Sequence, residues 1–119
     1  MKPQMRLSAL GKTPQVNAVF IRVCGYNAVM DLEALVAQLH AEGFRRTYVW
    51  QDGPGAFYPD HTHSVETAHV VLEGEMTLTC KGVTQTYTAG QRAPDVPAGA
   101  VHSARMGPCG CRYLIGERA

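Results

Sequence analysis

Five histidines occur in this 119-residue chain, and three of them are spaced so that they could share one ligand. His61 and His63 are two residues apart, so on an extended strand both imidazoles project from the same face. His102 closes the run Pro97-Ala98-Gly99-Ala100-Val101-His102 and opens a later apolar segment. If that segment folds back beside the first, three neutral nitrogen donors converge. Such a donor set suits one divalent transition metal (Fe, Mn, Zn, Ni or Cu) better than it suits packing. His40 sits at the edge of a helical apolar stripe, reads as a surface residue, and is assigned no function.

Positioning these rings requires strands. From Phe44 onward, short β-prone runs alternate with Gly- or Pro-containing breaks to the end of the chain. The expected strands are Arg45–Gln51, Tyr58–His63, Thr67–Leu72, Met76–Cys80, Val83–Thr88, Gln91–Val96, Ser103–Met106 and Arg112–Gly116. Breaks fall at Asp52-Gly53-Pro54-Gly55, Glu73-Gly74, Lys81-Gly82, Ala89-Gly90, Pro97-Ala98-Gly99 and Gly107-Pro108. This spacing predicts an all-β sandwich or barrel. Before it, Val16–Cys24 favours extended structure, and one helix is expected from Asp31 to about Glu42. Asp31 is placed to cap that helix, Leu32, Leu35, Val36 and Leu39 form its stripe, and Gly43 ends it. The expected organisation is one structural domain, with residues 1–44 as a strand and helix packed on a barrel of residues 45–119.

Composition narrows the function classes. A net charge of +1 with scattered Lys and Arg gives no electrostatic footprint for nucleic acid or an acidic membrane. The stretch Val16–Met30 carries Asn17, Arg22 and Asn27 and is too short to span a bilayer. Met1–Gly11 lacks the continuous apolar run of a signal peptide, so a cytoplasmic protein with reduced cysteines is expected. Cys109-Gly110-Cys111 has no second cysteine pair at zinc-ribbon spacing. No phosphate-cradling glycine loop or nucleophile elbow is present.

The residues Gly55, His61, His63 and Gly74, followed by Pro97, Gly99 and His102, resemble the two motifs of the cupins, small jelly-roll β-barrels. Pro59 before the first histidine and the stretch Val71-Leu72-Glu73-Gly74-Glu75 add to the likeness, and Gly90 fits the second motif with one extra residue. The resemblance covers roughly residues 45 to 116 and implies an all-β, single-domain cupin-type barrel with one N-terminal helix. It departs from the family at two places. Thr67 stands where the family has its glutamate ligand, with Glu66 one residue earlier, and Met106 replaces the asparagine of the second motif.

What the resemblance implies is a metal held by His61, His63 and His102, with a further position open to Glu66, His69 or water. His69 shares the inward face of Thr67 by strand alternation. There it could act as a general acid/base or substrate hydrogen-bond partner, or be satisfied inside the barrel. The implied function is a metal-dependent enzyme acting on a small organic molecule, of dioxygenase type or of isomerase or lyase type. A non-catalytic small-molecule or metal-binding barrel is the alternative. Tyr48, Trp50, Phe57 and Tyr58 could line the pocket mouth, and a homodimer is implied by the family.

Overall fold

The computed structural model describes residues 30–118, so the expected strand Val16–Cys24 lies outside the described residues. Its elements are α1 (Leu32–Ala41), β1 (Arg46–Asp52), β2 (Phe57–His61), β3 (Thr67–Cys80), β4 (Val83–Thr88) and β5 (His102–Glu117). Asp31 caps α1 by accepting a hydrogen bond from the Ala34 amide at 3.1 Å. The helix stops where Gly43 takes φ 101°, and the amides of Gly43 and Phe44 close back onto the carbonyls of His40 and Leu39. This paired closure satisfies carbonyls that the last turn would otherwise leave bare.

All strand pairings are antiparallel. β1 and β2 lie one after the other along one side of β5, β3 lies along its other side, and β4 borders β3. Alternation then sorts the side chains. Ala68, Val70, Leu72 and Leu114 face outward and are buried against Leu39 and Phe44, with Leu35, Val36 and Val49 partly covered beside them. Leu32 stays exposed and falls outside that contact. The opposite face carries Val71, Met76, Leu78, Ala104, Met106, Tyr113 and Ile115.

Two differences from the sequence expectation concern the sheet. Glu73-Gly74 and Gly107-Pro108 do not end strands; β3 and β5 run through them, with shifts of register between Val71 and Glu73 and between Gly74 and Met76. Glycine is needed at both sides of this irregularity. Gly74 and Gly110 each have φ 81°, and a Cβ on Gly74 would strike the Gly110 carbonyl. The sheet also does not close into a barrel among the described residues. Gln91–Val96 is the reason: Pro94 has no N–H to donate, and the segment makes only isolated bridges at Arg92 and Val96. Those bridges still hold it against the first half of β3, with Val96 and Thr67 exchanging both backbone hydrogen bonds at 2.8 and 3.0 Å.

Candidate metal centre

His61, at the end of β2, lies directly across from His102, at the start of β5. The Nδ1 of each ring donates to a backbone carbonyl two residues earlier: Pro59 for His61 at 2.7 Å and Ala100 for His102 at 3.0 Å. A carbonyl can only accept, so both rings carry a proton on Nδ1, which leaves Nε2 as the nitrogen turned toward a ligand. His63 sits in the connection to β3, and its own carbonyl accepts the Gly99 amide at 2.9 Å. That bond fastens the first histidine segment to the turn Pro97–Ala100, where Gly99 has φ 78°.

One ring nitrogen from each of His61, His63 and His102 lies within 4.8 Å of the others. Ring centroids are 4.2 Å apart for His61 and His102, and 4.9 Å for each pair involving His63. Burial lowers the pKa of His63, and the neighbouring His102 and His61 lower it further. Three imidazoles, two of them oriented by backbone carbonyls, fit a first-row divalent metal.

The rings open onto a cavity of about 330 Å³ whose wall is mostly apolar. Met76, Leu78, Met106 and Ile115 supply the apolar lining, and Tyr48, Trp50 and Tyr58 also border it. Phe57 does not: it is half exposed on the other face, beneath the Arg105 guanidinium. His69 lines the cavity and is almost fully buried. Burial, with the charges of His102, His63 and His61 as lesser causes, depresses its pKa to about 4. Its Nδ1 is sealed without a partner, as is the hydroxyl of Thr67. Nε2 is therefore the ring nitrogen that His69 presents to the cavity.

Glu66 is not brought to the histidines. Its carboxylate accepts the Arg118 Nε–H at 2.7 Å, and Arg118 also donates to the Glu42 carbonyl. With Thr67 rather than Glu66 pointing into the cavity, the tightened loop needed to turn Glu66 inward is absent. The sequence reading passed over three other residues. Asp52 accepts from both Tyr58 (2.6 Å) and Tyr113 (2.7 Å), two cavity tyrosines. Hydrogen bonding to Asp52 and burial raise the pKa of Tyr58, and burial foremost raises that of Tyr113, so both stay protonated. Glu117 lines the cavity and accepts from Tyr48 at 2.8 Å. None of the three belongs to a motif, and only the odd-even alternation along β1 and β5 could have placed them inward.

The expectation of four reduced cysteines is corrected in part: Cys80 and Cys111 are free thiols, whereas Cys109 is disulfide-bonded. No helix among the described residues is long and apolar enough to cross a membrane.

A cupin-domain family profile matches residues 48–106, which contain all three histidines. No curated protein matches the sequence. Solved structures that the chain resembles include an RmlC-like cupin from Shewanella frigidimarina, at 26% identity and TM-score 0.54, covering 61% of this chain and 65% of that one. The DMSP lyase DddQ from Ruegeria pomeroyi matches at 26% identity and TM-score 0.56, over 61% of this chain and 37% of the lyase. A cupin superfamily protein from Desulfitobacterium hafniense matches at 17% identity and TM-score 0.54, over 60% and 64%. The chain spans less than two thirds of each of these three proteins. The motif residues, the two-faced antiparallel sheet and these likenesses agree, and the chain belongs to the cupin superfamily.

Proposed function

We propose that this chain is a metal-dependent enzyme acting on a small organic molecule, with chemistry of the isomerase or lyase type. The observation that carries this reading is the convergence of His61, His63 and His102, two of them held by backbone carbonyls, on the wall of a small-molecule-sized cavity. A divalent metal held by these three nitrogens supplies Lewis acidity toward a substrate oxygen.

The chain's own groups supply the proton handling. His69 is neutral at pH 7 and turns Nε2 to the cavity, so in its Nε2–H tautomer it donates a hydrogen bond to a substrate oxygen, and it is a poor base. Tyr58 and Tyr113 face the cavity with their hydroxyl protons already directed at Asp52. Either hydroxyl can take a proton from the cavity while passing its own to the carboxylate. The apolar lining limits water and holds the body of the substrate. The likeness to a DMSP lyase at 26% identity supports an elimination or related proton transfer without naming the substrate.

The test is solvent deuterium exchange in protein loaded with Zn(II), Mn(II), Fe(II) or Ni(II). Small carboxylates with acidic C–H bonds are incubated in D2O and followed by NMR. Exchange or elimination that requires metal and is lost in His63→Ala supports the reading. Oxygen consumption without exchange would move the assignment to the dioxygenase type. Metal binding with neither activity across the panel would leave a non-catalytic binding module.

A further inference from the structure

The three histidines carry no formal negative charge, and the family's glutamate position is Thr67. A bound dication would then sit in a mostly apolar cavity with no compensating anion among its ligands, which is unfavourable at low local dielectric. The cavity does contain one carboxylate, Glu117. In the β3–β5 register, Glu117 lies directly across from Thr67, on the same face. Its two oxygens are fixed by the Tyr48 hydroxyl at 2.8 Å and the Arg46 guanidinium at 3.1 Å. The Arg46 side chain is 70% exposed against 23% for Glu117, so solvent screens the cation more than the carboxylate. Glu117 lines the same cavity wall as His61, His63 and His102.

We infer that Glu117 is the charge-balancing carboxylate of the histidine centre, supplying from β5 the negative charge that Thr67 leaves out of β3. It acts through space on the ion held by His61, His63 and His102, while the Tyr48 hydroxyl keeps it in place and the exposed Arg46 partly offsets its charge. It is a positioning and electrostatic residue, not a ligand. The inference rests on the proposed metal centre and deepens it.

The experiment is metal affinity of the full chain, measured with Co(II) and Zn(II) by competition with a chromophoric chelator. Glu117→Gln preserves the shape and the acceptor for Tyr48 but removes the charge, and should weaken binding by about tenfold or more, the usual size of an outer-shell loss. Glu117→Asp keeps the charge and should stay within about threefold of the parent, as expected where charge rather than geometry acts. Arg46→Gln removes an exposed cation that opposes the ion. It should tighten binding by roughly two- to threefold, and gives an opposite-signed test that does not depend on the fold of the Glu117 variants. Glu66→Gln, the same charge change outside the centre, should leave affinity unaltered. Equal affinities for the parent, Glu117→Gln and Arg46→Gln would overturn the inference, as would Glu117→Asp binding as weakly as Glu117→Gln. Absence of metal binding in the parent chain would instead overturn the metal centre itself.

Discussion

Thr67 and His69 expose the conflict between stability and use most directly. Both are buried, both line the cavity, and each has a polar atom sealed from solvent without a partner. A buried polar atom left unpaired costs on the order of 1–3 kcal/mol, whereas an apolar group of the same shape costs little. Thr67→Val should therefore raise the unfolding free energy by about 1 kcal/mol, read from urea denaturation of the metal-free protein. A loss of similar size would show that the hydroxyl has a partner in solution. His69 adds a pH dependence. Its pKa is about 4 in the folded chain, lowered first by burial and then by His102, His63 and His61; the Tyr113 ring is 6.1 Å away. In the unfolded chain the pKa returns to about 6.5. Between those values the unfolded state binds a proton that the folded state refuses, so stability is full above about pH 6.5 and falls as the pH drops toward 4. The loss amounts to at most about 3 kcal/mol, and His69→Leu should remove that part of the slope in denaturation series at pH 7 and pH 4.5.

At the scale of elements, the site depends on how β3 and β5 bend together. Their bulges bring the half of β5 that begins at His102 onto β2, and the half that ends at Glu117 onto β1. Gly74 makes that bend possible, because its φ is 81° and the Gly110 carbonyl occupies the space of a side chain. Gly74→Ala combines left-handed backbone strain with a backbone collision and should cost about 3 kcal/mol or more. Gly82→Ala, at φ 78° but with open space around it, should cost only about 1 kcal/mol. Equal costs at the two positions would mean that the bulge relaxes easily. The same elements mark what the sequence made legible. His61, His63 and His102 could be paired because a two-residue spacing and a Pro-x-Gly turn have direct geometric meanings. The continuity of β3 and β5 could not, because Glu73-Gly74 and Gly107-Pro108 use the same residues that end strands. Nor could the fate of Glu66, since Arg118, which captures it, lies 52 positions away and only the register of β5 brings the two together.

For the whole molecule, the histidine centre gathers its donors from β2, from the connection that follows it and from β5. His61 ends β2, His63 lies in the next connection, and His102 begins β5 after the irregular segment that skirts the edge of β3. An ion held by all three would bind the folded chain and not the unfolded one, so its binding free energy adds to global stability. At a free metal concentration of 100 times the dissociation constant, that gain is about 2.7 kcal/mol, or roughly 10 °C in Tm for a domain of this size. His63 is only partly buried and makes no side-chain hydrogen bond among the described residues, so replacing it disturbs little in the metal-free fold. His63→Ala should therefore melt within about 1–2 °C of the metal-free parent, yet show almost none of the metal-induced rise. Calorimetric scans of both proteins, each with and without Zn(II), separate the two contributions. If the parent gains nothing from metal, or if His63→Ala gains as much as the parent, the ion does not bridge these segments, and the three rings owe their convergence to the backbone alone.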